Sequence, residues 1–74
     1  MNIERLKEIR EDKDLLQKDV AKYLRITQVQ YSRYETGLRL IPIDKLAKLA
    51  IFYNTSIDYL LSLTDERKAY PRKK

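Results

Sequence analysis

Apolar residues at Ile3, Leu6 and Ile9 recur every three positions and predict an amphipathic helix over about residues 2–13, with Asp12-Lys13-Asp14 as its stop. A second helix starts near Gln17, with Val20, Ala21 and Leu24 on one face. The third starts at Thr27, where Thr27-Gln28-Val29-Gln30 has the Thr-x-x-Gln form of a capping box. Its apolar face is Tyr31 and Tyr34, core residues whose hydroxyls are expected to reach the surface. Gly37 follows as a C-terminal cap able to take positive φ. Pro42 opens a fourth helix carrying Leu46, Leu49, Ala50 and Tyr53, with Asn54 as a left-handed stop. Ser56 caps a fifth, with Asp58 in its first turn and Ile57, Leu60, Leu61 and Leu63 apolar. No segment alternates with period two, and there is no repeat or internal linker. The prediction is all-α: a compact bundle of five short helices over residues 1–66, followed by a disordered basic tail over 67–74 that contains Pro71.

A chain of 74 residues is one domain with one modest core, burying roughly 60% of its unfolded surface. With no Cys and no His, disulfides, thiolate chemistry, Cys/His zinc sites and histidine acid–base catalysis are excluded. A single glycine excludes the phosphate loop and the dinucleotide fingerprint. No apolar run approaches the ~18 residues of a membrane span, and no signal-peptide pattern opens the chain. These features point to a cytoplasmic binding protein rather than an enzyme, without cofactor or evident small-molecule ligand.

The net charge of +5 is unevenly spread. Residues 1–14 sum to −1 and residues 40–66 to −2, whereas residues 15–39 sum to +3 and the last eight to +5. A basic middle between acidic flanks points to a polyanion. That middle holds the informative stretch, Gln17 to Thr36. Only Arg25, Ile26 and Thr27 join its two helices, too few for the second to double back, so they must cross steeply as in a helix-turn-helix. Ala21 supplies the small residue at the crossing, and Leu24 and Ile26 flank the turn. Gln28, Val29, Ser32 and Arg33 then fall opposite Tyr31 and Tyr34, on a polar face suited to the DNA major groove, where Gln pairs with adenine and Arg with guanine. Val29 touches a thymine methyl or merely fills space; Gln30 is a cap partner or a DNA ligand. Lys18 and Lys22, one turn apart, are phosphate contacts or a solvated face.

This stretch and its surroundings resemble the lambda-repressor-like (Cro/C1-type, XRE-type) helix-turn-helix family. The resemblance runs from about Leu6 to Leu61, through Leu6-Lys7-Glu8-Ile9-Arg10, Gln17-x-x-Val20-Ala21-x-x-Leu24 and Ile26-Thr27-Gln28. It continues in Ser32-Arg33-Tyr34-Glu35-x-Gly37-x-Arg39 and Leu46-x-x-Leu49-Ala50-x-x-Tyr53-Asn54. It implies base contact by Gln28, Val29, Ser32 and Arg33, from a recognition helix at about 28–35. It further implies that Gln17, Arg39 and Arg10 bind phosphate or orient residues that do, and that Arg10 and Glu35 pair inside the fold. Where the family usually has Gly, Ser or Thr, and Gly or Asn, this chain has Asp14, Leu16 and Arg25. Ile41 looks like one extra residue before Pro42.

The function so implied is a sequence-specific, double-stranded-DNA-binding regulator, repressor-like and nucleoid-associated, acting as a homodimer on a palindrome with half-sites about 34–36 Å apart. The dimer surface expected is Ile57, Leu60, Leu61 and Leu63, since one small core does not hold all four. A protein-interaction module of the same fold, such as an antitoxin or antirepressor, is the alternative.

Overall fold

A computed structural model describes residues 3–68, and every regular element in them is helical. The order is α1 (Glu4–Asp12), α2 (Gln17–Leu24), α3 (Gln28–Thr36), α4 (Ile43–Phe52) and α5 (Ile57–Leu60). The first four form where the apolar spacing predicts, whereas α5 starts as expected but ends at Leu60, leaving Leu61 and Leu63 beyond it. Together the helices close one core from Leu6, Ile9, Val20, Ala21, Leu24, Tyr31, Tyr34, Leu46, Leu49, Ala50, Tyr53 and Leu60. Ile41, the additional residue before Pro42, is also buried there, so the longer loop returns its apolar side chain to the core.

The helices share one way of stopping. Asp14, Arg25, Asn54 and Ser62 all take left-handed φ, between 52° and 61°, just beyond α1, α2, α4 and α5. After each, the next amide reaches back to a carbonyl five residues earlier: Leu15 to Arg10, Ile26 to Ala21, Thr55 to Ala50 and Leu63 to Asp58, at 2.8–3.1 Å. That bond satisfies a carbonyl the helix end leaves open. Only α3 ends on a glycine, Gly37 at φ 84°. A long side chain in this region costs roughly 1–2 kcal/mol. Arg25→Gly should therefore raise stability by about 0.5–1 kcal/mol after the entropy that glycine adds to the unfolded chain. A urea midpoint equal to or below wild type would contradict this.

The helix starts differ from expectation in two places. Leu16 has no side-chain acceptor for the first amides of α2, but its own amide donates to the Asp19 carboxylate at 2.9 Å, which anchors the turn from the other side. At α3 only half of the capping box forms. Thr27 Oγ1 accepts from the Gln30 amide at 3.1 Å, while the Gln30 side chain turns to the Tyr34 hydroxyl instead.

Three further expectations are corrected. Leu60 has 0% exposure and belongs to the monomer core, because four-residue α5 presses it inward between α1 and α4. Tyr31 is likewise fully buried, so its hydroxyl does not reach the surface. The segment expected to be a free tail is tied down at its start. Thr55 Oγ1 donates to the Arg67 carbonyl at 2.6 Å, and Arg67 pairs with Asp12 at 3.5 Å. Residues 69–74, which carry the rest of the basic tail, lie outside the described residues.

Arg5 joins the two ends of the domain. Its guanidinium lies 4.2 Å from the centre of the Tyr59 ring, donates to the Tyr59 and Thr64 carbonyls, and pairs with Asp65 at 2.6 Å.

Candidate nucleic-acid interface

Packing of α2 on α3 is the most extensive between any two helices, with Ala21 buried in it. Tyr31, Tyr34 and Glu35 turn one side of α3 inward. At 100° per residue the opposite side must carry Val29, Arg33 and Thr36, with Gln28 and Ser32 on one flank and Gln30 on the other. Gln28, Val29 and Arg33 are exposed and Ser32 is half-buried, as expected for a surface that meets a partner. Val29, 61% exposed, forms a ridge between two shallow grooves. Gln17, Gln28 and Ser32 line one; Thr27, Gln30, Arg33, Tyr34 and Arg39 line the other. No carboxylate lines either, so neither repels a polyanion.

Arg39 reaches the second groove because the chain folds back after Gly37, where the Arg39 amide bonds the Arg33 carbonyl at 3.2 Å. The fold-back also leaves Leu38 and Leu40 77% exposed, beside exposed Ile43 at the start of α4. No apolar periodicity marks these loop leucines, and the sequence pattern did not single them out.

A buried polar chain supports the first groove from behind. Arg10 Nε and Nη2 donate to the two Glu35 carboxylate oxygens at 3.0 and 2.9 Å, and Nη1 donates to the Leu15 carbonyl at 2.8 Å. Gln17 Nε2 completes the chain with a 3.3 Å bond to Glu35 Oε1. The forked pairing raises the Arg10 guanidinium above its ordinary value. Burial opposes the Glu35 charge, but hydrogen bonds, with Arg10 foremost, hold its carboxyl below the usual carboxylate range. Burial, then the nearby Glu35 charge, pushes the hydroxyls of Tyr31 and Tyr53 up.

The expected ion pair is therefore in place, while a direct phosphate contact by Arg10 is not. Arg10 is buried and its fork is committed to Glu35 and Leu15, and Glu35 in turn bonds Gln17. Gln17 lines the first groove with one N–H on Glu35, which leaves its second N–H able to donate elsewhere. Lys18 and Lys22 are exposed on α2.

Among the described residues, no group of His, Cys, Asp or Glu is arranged to hold a metal, and no helix is long and apolar enough to cross a membrane.

A helix-turn-helix family model matches residues 6–60. Three regulators of Bacillus subtilis (strain 168) are similar. The uncharacterized HTH-type transcriptional regulator YobD is 36% identical over 66 residues, 89% of this chain and 59% of the relative. The HTH-type transcriptional regulator AnsR is 33% identical over 72 residues, 97% and 62% of the two chains. The HTH-type transcriptional regulator ImmR is 41% identical over 64 residues, 86% and 50% of the two. The chain thus spans about half to three-fifths of the length of these relatives. No solved structure matches at a significant level. The family match covers all five helices from Leu6 to Leu60, so the chain belongs to the lambda-repressor-like, Cro/C1-type helix-turn-helix family.

Proposed function

We propose that the chain is a sequence-specific, double-stranded-DNA-binding transcriptional regulator that lays α3 in the major groove. The observation that carries this is the carboxylate-free face of Gln28, Val29, Ser32 and Arg33, bounded by Gln17 on one side and Arg39 on the other. Gln28 and Arg33 offer the paired donors and acceptors that distinguish base edges, and Val29 offers a methyl surface for thymine. Gln17, Lys18 and Arg39 meet phosphates on either side and set the register. The transcriptional regulators among its relatives support the same reading. The work is recognition, with no chemical step, and its setting is the bacterial chromosome in the cytoplasm.

One face of this size makes few contacts, which favours a homodimer on a palindromic operator, acting as a repressor by occupying promoter DNA. With Leu60 in the core, the apolar surface left for a partner copy near the C-terminal helix is Leu63, 72% exposed, with the outer parts of Ile57 and Leu61. Leu63→Glu should give a still-folded monomer that binds a single half-site but has lost tight palindrome binding. Wild type that sediments as a monomer at tens of micromolar, free and on DNA, would contradict the dimer.

Selection of bound duplexes from a randomised pool tests the function itself. Enrichment of one palindromic motif, with binding that weakens as salt rises, is the expected result. A pool that stays random after repeated rounds would reject the reading and favour a protein-interaction module of the same fold.

A further inference from the structure

Gln30 lies on the flank of α3 away from Gln17, in the groove with Arg33 and Arg39. Its side chain is not spent on capping, since Thr27 receives only its backbone amide. The side-chain Nε2 instead donates to the Tyr34 hydroxyl, one turn along, at 3.2 Å. Tyr34 is buried, so its ring is fixed and its hydroxyl is a rigid anchor at the groove wall.

The chemistry of a primary amide makes this contact informative. Glutamine has two N–H groups and one carbonyl. Adenine, read in the major groove, requires one N–H for its N7 and the carbonyl for its N6 amino group, both on the same amide edge. A hydrogen bond to Tyr34 occupies one N–H, so reading adenine takes the carbonyl and the second N–H, the one beside it. It also removes rotamer freedom in advance, so less entropy is lost when the base is bound.

We propose that Gln30 is a further base-reading residue, specific for adenine, and that Tyr34 is its positioning residue. The proposal rests on the DNA-binding function above and assigns one more of its specificity determinants.

Position-by-position selection from a randomised duplex pool, run on wild type and five variants, tests it. Wild type should enrich adenine at one half-site position that Arg33→Ala leaves unaffected. Gln30→Ala should lose that preference by about tenfold or more, as expected for loss of a bidentate base contact. Tyr34→Phe keeps the buried ring and should weaken the same preference by a smaller factor. In the double variant, Tyr34→Phe should add nothing to Gln30→Ala, because the hydroxyl acts only through the amide. Gln30→Glu should move the preference towards cytosine, whose amino group a carboxylate accepts from.

Gln30 is exposed, so its variants report even if Tyr34→Phe melts early. An unchanged profile for Gln30→Ala overturns the proposal. So does a Tyr34→Phe effect that is equal on all sequences. A wild type that enriches no sequence overturns the DNA-binding function and this inference together, whereas enrichment with a silent Gln30 overturns the inference alone.

Discussion

Arg10→Met should destabilise the domain by about 3–5 kcal/mol. The pair it breaks is buried on both sides and joined by two charge-assisted hydrogen bonds. Methionine fills much of the volume but leaves the buried Glu35 carboxylate without its cationic partner. For a domain of this length, 1 kcal/mol moves the melting temperature by about 4–8 °C, so a fall of about 12 °C or more is predicted. A total stability of only about 4–11 kcal/mol is usual at this size, and the variant should be partly unfolded at 37 °C. A thermal melt that overlays wild type would show that the pair is not worth its place in the core.

The same pair sets opposite pH responses in the two proteins. In wild type the folded Glu35 carboxyl is held below its unfolded value of 4.5, so its contribution is present above that pH and is lost as acid protonates it. In Arg10→Met the burial that remains pushes the carboxyl up, and the destabilisation is largest at neutral pH, where the unfolded group is ionised. Lowering the pH from 7 towards 5 should therefore narrow the stability gap between variant and wild type. A gap that is constant over this range would mean that Glu35 does not carry an uncompensated charge in the variant.

Arg33→Ala should cost about 1–3 kcal/mol on the preferred site and relax the preference at a single base pair, while leaving random DNA bound as before. Arg33 stands on the outward side of α3, where only a ligand can use its fork. Arg39→Ala is the contrasting substitution. Arg39 lies at the groove rim on a fold-back loop, so its loss should weaken preferred and random duplexes alike and reduce the log–log salt slope by about one. Competition titrations of both variants at two salt concentrations separate the roles. If the two substitutions have the same effect on both DNAs, the division between reading and positioning residues is wrong.

What was legible in the sequence follows from what periodicity encodes. Tyr31 and Tyr34 lie on the inward side of α3 because residues three apart share a helix face, and the exposed side followed from it. Gly37 and Asn54 mark helix ends because their backbones accept left-handed φ cheaply. Spacing alone did not sort Ile57, Leu60, Leu61 and Leu63, since four apolar residues in seven exceed one face and only the packed neighbours choose among them. Leu60 took the core place, and Leu63 stayed exposed.

Apart from Arg10 and Glu35, long-range partners left no sequence signal. Arg67 reads as one more charge in a basic run, yet it pairs with Asp12 far away in the chain. Arg5 is similarly an ordinary helix-surface arginine until α5 and the segment after it arrive. Arg10 was placed by family resemblance, but whether it meets phosphate or only Glu35 depended on a burial that the sequence does not state. At Gln30 two local partners competed, the Thr27 amide and the Tyr34 hydroxyl, and both lie within one turn. Side-chain geometry decided between them.

Backbone amide shifts followed by NMR, as the palindromic duplex enriched by selection is titrated in, test the recognition face most directly. The account predicts the largest changes at Gln17, Gln28, Val29, Ser32, Arg33 and Arg39, with the outer face of α1 and the Tyr23–Phe52 stack, which lines neither groove, little affected. A scrambled duplex of equal length should give smaller shifts that vanish first as salt is raised. Shifts centred on Tyr23 and Phe52, or equal responses to the two duplexes, would contradict it.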